Sequence, residues 1–521
     1  MSSEFEFISN ILLSMKKKTL ENVTITWLWY WWVGIGVLPN GKKVIVKWWL
    51  PWSVVDGNVI KRKKDYIELQ ITTVHSYDSS LLQADIACPH YLFAYGQHKD
   101  TPVHKHGCGG CKWQALTYPK QLELKQIMVA DSLRKVSAAQ VISLPPVIES
   151  PELLQYRNKI EFSCGTFRAY HDEVGKSDIK NGEYDEYITV WFHQQWRFAQ
   201  IVDIDQCFLV SSPMHQAYTM IKEALIATWL PMYRVKSHEW LFRHIVIRAG
   251  KHTGQIMVML SMATRWFVDN PDGEQIWNTL LETRQHDQHI RWLITTLVVV
   301  ANNGMADIVH HAWAEVTTIR WEWRIFEELH LMEQTLTFQV SPFSFFQTNT
   351  LGAEVLFSTA LQMVWSVKWT ILDLYCGSGT IGLCALKAWR WSRLVGIEIV
   401  EEAIRDAQKN AQINGLHDQS HFFAGKAEHL VRHHTQLQDL LQELDLVIVD
   451  PPREWLHKTV IEFLLEIHAT HKPKLLYISC NPVTFARDIQ LLTDGWRTLN
   501  ALQPVDMFPQ TYHVEMIGIL R

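Results

Sequence analysis

Asp373-Leu374-Tyr375-Cys376-Gly377-Ser378-Gly379-Thr380-Ile381-Gly382 is the stretch whose reading decides the fold. It carries on from the strand-like run Ile371-Leu372-Asp373-Leu374 and opens a helical pattern. Gly377, Gly379 and Gly382 fit G-x-G-x-x-G, in which missing side chains let the backbone approach a ligand closely. Glu398 stands 25 residues after Asp373, at the end of the next strand-like run, Leu394 to Glu398. An acid there accepts hydrogen bonds from ribose hydroxyls, so the two features together point to a nucleoside-containing cofactor.

From about 341 to 521 the same alternation continues. Leu446-Val447-Ile448-Val449-Asp450 and Leu475-Leu476-Tyr477-Ile478-Ser479 read as further apolar strands. Helical segments lie between the strands, one ending near Asn414-Gly415 and one around Val460 to Ala469. Apolar runs alternating with amphipathic helices predict an α/β domain, a doubly wound Rossmann-like parallel sheet covered on both faces. The glycine pattern alone is compatible with NAD. Asp373, ending the first strand, suits a cofactor with an ammonium group and no pyrophosphate. Asp450-Pro451-Pro452-Arg453 adds a second acid at the carboxyl edge of the sheet, where ligands bind. Together they favour S-adenosylmethionine, although Asp and Pro also serve caps and turns.

Upstream, residues 1–20 read as a basic tail. Residues 21–78 carry short strand-like runs such as Lys43-Val44-Ile45-Val46-Lys47, with a hairpin signal at Asn40-Gly41, and predict a small β-barrel. Residues 79–340 form a central α/β region. Its first part, 79–115, is loop-like and holds three cysteines; a helical pattern then runs from Tyr118 to Val136, and Lys159 to Ser163 and His244 to Arg248 read as strands.

The 521 residues are 47% hydrophobic and 20% charged, with a net charge of −5. That balance suits a globular protein and excludes a generic nucleic-acid coater, so RNA binding has to rest on local patches. Lys16-Lys17-Lys18 and Lys61-Arg62-Lys63-Lys64 are such patches, or solvated clusters. The most apolar stretch, Thr26 to Gly36, is too short to span a bilayer, and no membrane association is expected. An acidic start, Met1 to Glu6, does not read as a signal peptide, which places the protein in the cytoplasm. The eight cysteines then read as ligands, nucleophiles or core residues. Of 24 tryptophans, Trp27, Trp29, Trp31, Trp32, Trp48, Trp49 and Trp52 cluster, which packing explains better than stacking on bases.

Cys480 ends the run Leu475 to Ser479 and is followed by Asn481-Pro482, with Pro at a helix-starting position. A helix N-terminus nearby is expected to lower the thiol pKa. Cys108-Gly109-Gly110-Cys111 is a C-x-x-C turn; Cys88 lies before it and Cys207 after it. Four thiolates suit an iron–sulfur cubane or a structural zinc, and spacing does not choose between them.

Several motifs resemble the RNA uracil-5-methyltransferase family, most closely the bacterial 23S ribosomal RNA enzymes. They are Asp450-Pro451-Pro452-Arg453, Ser479-Cys480-Asn481-Pro482 with Ala486-Arg487-Asp488, Phe345-Phe346-Gln347-Thr348-Asn349, and Asp506-Met507-Phe508-Pro509 with His513-Val514-Glu515. Tyr156-Arg157-Asn158-Lys159-Ile160-Glu161-Phe162 resembles that family's central domain. The resemblance implies methyl transfer to carbon 5 of a uridine in RNA, with Cys480 as nucleophile and Glu515 as base. It implies that Gln347, Tyr375, Glu398 and Asp450 contact S-adenosylmethionine beside the turn of Asp373, Gly377 and Gly379. It also implies a TRAM-like RNA-binding barrel and a [4Fe–4S] cluster on Cys88, Cys108, Cys111 and Cys207.

Two departures stand out. Nineteen residues, His98, His104 and His106 among them, separate Cys88 from Cys108 where the family has a short gap, so either a loop is inserted or Cys88 is not a ligand. Trp455 stands where the family has glycine. Ribosomal RNA is favoured over transfer RNA as the partner, and no obligate protein partner is implied. A non-catalytic iron–sulfur RNA-binding protein is the rival from another class; an NAD oxidoreductase has no need of the Cys480 and Asp450 motifs.

Overall fold

The computed structural model describes residues 18–29, 33–47, 52–76, 83, 87–88, 91, 108, 110–165, 189–194, 197–202, 206–233, 240–263, 266, 269–275, 278–279, 293–303, 315–321, 323–365, 367–389, 392–453, 456–495 and 498–521. Most of the predicted basic tail, four of the seven clustered tryptophans, His98, His104, His106 and Trp455 lie outside these residues. The chain divides into two compact units. Unit 1 is Met1–Asp131 with Pro509–Tyr512, and unit 2 is Ser132–Phe508 with His513–Arg521.

Unit 1 contains a closed barrel of β1 (Thr19–Trp29), β2 (Val33–Val37), β3 (Lys43–Lys47), β4 (Ser53–Arg62) and β5 (Tyr66–Ser76), in the order β1-β2-β3-β5-β4. The alternation seen in the sequence is what closes it. Val44 and Val46 of β3, Val55 of β4, and Ile67 and Leu69 of β5 point into one core with Val23 and Ile25. The Asn40-Gly41 turn forms as the sequence predicts. Gly41 takes φ +78°, and the Lys42 amide donates to Asn40 Oδ1 at 3.0 Å. Of the clustered tryptophans, Trp27 and Trp52 are exposed. The Lys120 ammonium lies 4.4 Å from the Trp52 ring centroid.

Unit 2 holds two seven-stranded sheets and a hairpin. The first sheet is formed by β6 (Lys159–Gly165), β7 (Thr189–Gln194), β8 (Arg197–Val202), β9 (Phe242–Ala249), β10 (Ile256–Met262), β11 (Thr296–Ala301) and β12 (Glu315–Trp321), in the order β12-β11-β10-β9-β6-β7-β8. The hairpin pairs β13 (Ile325–Leu331) with β14 (Gln334–Val340). Its two turn residues, Met332 and Glu333, both have positive φ without being the Asn-Gly or Asp-Gly that would announce such a turn.

The second sheet, order β17-β16-β15-β18-β19-β21-β20, positions the site. Its strands are β15 (Thr370–Leu374), β16 (Arg393–Glu398), β17 (Ser420–Ala424), β18 (Leu444–Val449), β19 (Lys474–Ser479), β20 (Leu499–Val505) and β21 (Glu515–Leu520). Ile371, Leu446, Ile448, Leu476, Ile478, Ile517 and Ile519 belong to one core with Leu356, Phe357 and Leu361 of the helix Thr350–Val364. The alternate residues face the other way; Gly518 lies against Phe485 of the helix Pro482–Asp494. Burial on both faces explains the near-continuous apolar runs. Strands β15 to β19 are parallel, as expected. β21 runs antiparallel to both β19 and β20, so the sheet is mixed rather than wholly parallel.

Among the described residues no helix is long and apolar enough to cross a membrane.

Gly382 shows why the third glycine of the turn is needed. A Cβ there would lie 2.6 Å from Asp373 Oδ2 and 2.8 Å from Leu394 Cδ1. Gly382→Ala is therefore expected to cost about 1–3 kcal/mol by overpacking. Urea unfolding of the variant beside the parent chain measures this, and an unchanged midpoint would refute it.

Candidate active site

Strand order reverses between β15 and β18: the chain proceeds outward to β16 and β17, then returns to β18 and β19 on the other side. Such a reversal opens a crevice beyond the carboxyl ends of the strands. Asp373 is the next-to-last residue of β15 and the glycine turn follows that strand, Glu398 ends β16, Asp450 follows β18 and Cys480 follows β19. Elements far apart in sequence thus deliver their chemical groups to one edge.

The glycine turn is held from below. Tyr375, Gly377 and Gly379 all take positive φ, so the chain doubles back tightly before the helix Thr380–Ala388. A Cβ on Gly377 would meet nothing within 4 Å, so this glycine borders open space. Asp373 Oδ2 accepts from the Gly382 amide at 3.0 Å. Buried Asn410 donates through Nδ2 to Ser378 O at 3.0 Å and accepts the Gln339 amide at 2.7 Å. Glu398 Oε1 accepts the amides of Ile399 and Val400 at 2.7 and 3.1 Å. Its Oε2 accepts from the Gly377 amide at a looser 3.3 Å.

Gln347 sits on the loop before the helix Thr350–Val364 and is partly buried. The Tyr156-Arg157-Asn158 motif props that loop. Asn158 Nδ2 donates at 2.9 Å to Gln347 O and at 2.9 Å to Thr350 Oγ1. The Asn158 amide donates to Thr348 O at 2.9 Å. Asn349 caps the helix by accepting from the Gly352 amide at 2.9 Å.

Cys480 lies at the strand-to-helix corner that the sequence suggests. Pro482 is in the first helical turn, and Asn481 Oδ1 accepts the amides of Val483 and Thr484 at 3.0 and 3.3 Å. The antiparallel register of β19 with β21 ends at Ser479↔Met516. One step further places Cys480 beside Glu515, which begins β21. The loop after Asp450 is tied down by Asp488, to which the sequence reading gave no role. Asp488 Oδ2 accepts from Tyr477 Oη at 2.8 Å and from the Leu456 amide at 3.1 Å. Arg487 Nη1 donates to Asp488 Oδ1 at 2.7 Å and to Leu456 O at 3.0 Å. Asn410 carries no local motif, and Asp488 belongs to the Ala486-Arg487-Asp488 motif without a role assigned to it; the tertiary fold reveals what both side chains hold.

The electrostatics correct one expectation. The Cys480 thiol is not brought below its usual value; burial pushes it up to about 12, and the Glu515 carboxyl adds to the rise. The Arg453 guanidinium opposes this. Loss of hydration and the Asp450 charge raise Glu515 to about 8, again opposed by Arg453. Burial lifts Asp450 to about 7. Burial, with Asp450 as neighbour, lifts Asp373 to about 8 despite the Gly382 amide. Tyr375 rises to about 12, chiefly through burial and then through Glu428 and Glu398.

The cysteine set divides between the units. In unit 1, the Gly110 amide donates to Cys108 Sγ at 3.4 Å and Gln114 Nε2 to Cys111 Sγ at 4.0 Å. The Cys88 amide donates to Gln114 Oε1 at 3.0 Å. Cys207 belongs to unit 2, where burial raises its thiol pKa.

The family described as tRNA (uracil-5-)-methyltransferase matches residues 274–521. An uncharacterized RNA methyltransferase of Caldanaerobacter subterraneus subsp. tengcongensis is 30% identical over 490 residues, which are 94% of this chain and 95% of that protein. Another from Bacteroides thetaiotaomicron is 30% identical over 485 residues, covering 92% and 97%. The fold is similar to that of the Pyrococcus abyssi tRNA (uracil-54, C5)-methyltransferase, solved with S-adenosyl-L-homocysteine. The TM-score is 0.67 at 24% identity, with 96% and 100% of the two chains covered.

The raised carboxyls make stability depend on pH in a definite sense. Glu515 binds its proton more tightly folded than unfolded, so its contribution is fully present below about 4.5 and is lost as pH rises through about 8. Glu515→Gln removes that loss. The gain of the variant over the parent in urea unfolding is expected to be larger at pH 8 than at pH 5; a pH-independent difference would contradict the assignment.

Proposed function

The chain belongs to the RNA uracil-5-methyltransferase family, and on that footing we propose that it methylates carbon 5 of a uridine in RNA through a covalent adduct of Cys480. The observation that carries this reading is the register of β19 with β21, which sets Cys480 beside Glu515 at the crevice edge.

The site fits S-adenosylmethionine. Gly377 opens onto free space, Glu398 holds a carboxylate oxygen only loosely against the turn, and Asp373 and Asp450 offer carboxyls that a cation beside them would favour in the ionised form. Glu398 would take the ribose hydroxyls, and Gln347, Tyr375 and Asp450 would line the rest. Bound there, the cofactor supplies an electrophilic methyl group on a sulfonium.

Carbon 5 of uracil is a weak nucleophile. Addition of the Cys480 thiolate to carbon 6 would move an electron pair into the ring and make an enolate whose carbon 5 would take the methyl group as the methyl–sulfur bond breaks and a neutral thioether leaves. Glu515 then removes the proton from carbon 5, and the returning electron pair expels Cys480 as thiolate. A thiol raised to about 12 is not a ready nucleophile. The exposed Arg453 guanidinium and a bound cation both favour its thiolate. The resting thiol therefore stays protonated until the crevice is filled, which protects it from stray electrophiles.

A denaturing gel of the protein with 5-fluorouridine-containing RNA and S-adenosylmethionine tests the mechanism, because fluorine cannot leave as a proton. A shifted band that Cys480→Ala abolishes is the expected outcome; its absence with every RNA would remove the covalent reading. Ribosomal RNA is the proposed substrate class and transfer RNA the second reading, favoured by the description of the matching family. Whichever RNA gives the band identifies the substrate.

The thiols of Cys88, Cys108 and Cys111 are the donor type that binds iron–sulfur groups, with zinc as the alternative. The neighbouring Lys112 ammonium, brought down to about 8 by burial, is favoured by thiolate charge on Cys108 and Cys111. Protein purified without oxygen is expected to contain iron and acid-labile sulfide, both lost in Cys111→Ser; zinc instead would establish the alternative.

A further inference from the structure

Outside the crevice, unit 2 gathers two imidazoles and a carboxylate that the methyl transfer does not use. His252 lies in the turn between β9 and β10, His330 on β13 and Glu354 in the helix Thr350–Val364. One ligand atom from each lies within 4.8 Å of the others. The imidazole rings stack with centroids 4.1 Å apart and planes at 21°. A Glu354 oxygen, Oε1, meets His252 Nε2 at 2.8 Å and accepts the His330 amide at 2.8 Å. Glu328 Oε2 lies 3.3 Å from His330 Nε2, a second carboxylate within reach.

The three elements are already locked together, by buried Glu327. Its Oε2 accepts from the Lys251 amide at 2.7 Å and from Thr350 Oγ1 at 2.6 Å. Its Oε1 accepts from the amides of His252 at 3.1 Å and Glu328 at 3.0 Å. Thr253 Oγ1 donates to Phe326 O at 2.6 Å, fastening the same turn to β13. A ligand set on elements held this way loses little entropy on binding a metal.

We propose that His252, His330 and Glu354 form a binding site for a divalent transition cation of the zinc type. Two imidazoles and one carboxylate are a set zinc accepts, with water completing the coordination. Tetrahedral ligands at zinc distances stand about 3.4 Å apart, so a small inward rotation of side chains suffices. The site opens to solvent on the His330 side, where the side chain is 48% exposed, which leaves room for that rotation and for water. An ion there clamps the β9–β10 turn and β13 to the helix that begins just after Gln347. It is a structural clamp and takes no part in methyl transfer.

Cobalt(II) and zinc(II) added to the full chain as purified test this. Cobalt is expected to give visible d–d bands that persist in a Cys111→Ser chain, separate from any thiolate charge-transfer band that Cys88, Cys108 and Cys111 produce. Zinc is expected to raise the thermal midpoint. His330→Gln, at an exposed position, should keep the fold by circular dichroism yet weaken cobalt binding at least tenfold and abolish the zinc-dependent shift. Glu354→Gln should weaken binding in the same direction. Equal binding by the parent and a folded His330→Gln, or a cobalt spectrum with only the sulfur band, would overturn the proposal. In that event the cluster is a hydrogen-bonded His–Glu pair alone.

Discussion

The reversal of strand order between β15 and β18 is the constraint from which the site follows. A right-handed crossover returns each parallel strand to the same starting side, so every carboxyl end faces one edge. The reversal separates neighbouring connections there and leaves a crevice between them. Asp373, Glu398, Asp450 and Cys480 reach that crevice because each lies in the last two positions of a strand or immediately follows one. Glu515 arrives from the opposite direction, because β21 runs antiparallel and presents its first residue where β19 presents its last. The mixed sheet is therefore the means by which the Cys480 thiol and the Glu515 carboxyl, the proposed nucleophile and base, come together.

Burial at this edge sets the protonation states. Asp373, Asp450 and Glu515 lose hydration, the Asp450 charge adds to the rise at Asp373 and Glu515, and the three carboxyls are raised to about 8, 7 and 8. A cation in the crevice reverses the balance, since each acid then gains an attractive partner on ionising. Burial and negative potential raise the Cys480 thiol, and the same cation opposes that rise. In the proposed mechanism, cofactor binding and activation of Cys480 and Glu515 are thus one electrostatic event.

The sequence discloses those parts of the fold that depend on local chemistry. The Asn40-Gly41 turn, the glycine turn from Gly377 to Gly382 and the cap at Asn481 with Pro482 are all set by residues within a few positions of one another. The barrel and the parallel strands are legible because burial imposes period two on one and continuous apolarity on the other. What escaped depends on partners distant in the chain. The Cys480 thiol was read from its own helix, but its carboxylate neighbour comes from position 515. Asn410 and Asp488 look like ordinary helical polar residues until the fold sets them against Ser378, Leu456 and Tyr477. The β13–β14 hairpin escaped because Met332-Glu333 adopts positive φ without a residue type that favours it.

Thr350 shows how such hidden contacts join the parts of unit 2. Its hydroxyl has one proton, and that proton goes to Glu327 Oε2 at 2.6 Å. The hydroxyl oxygen is then free to accept from Asn158 Nδ2 at 2.9 Å. The same amide group donates to Gln347 O, while Glu327 gathers the amides of Lys251, His252 and Glu328. Neither neighbour could reverse its bond, because a carboxylate cannot donate and an amide nitrogen cannot accept. A continuous path of hydrogen bonds therefore joins the loop of Gln347 to the turn of His252 through the first residue of one helix, with Asn158 donating at one end and Glu327 accepting from both sides at the other. The central sheet and the crevice loop are registered against each other by polarity as well as by packing.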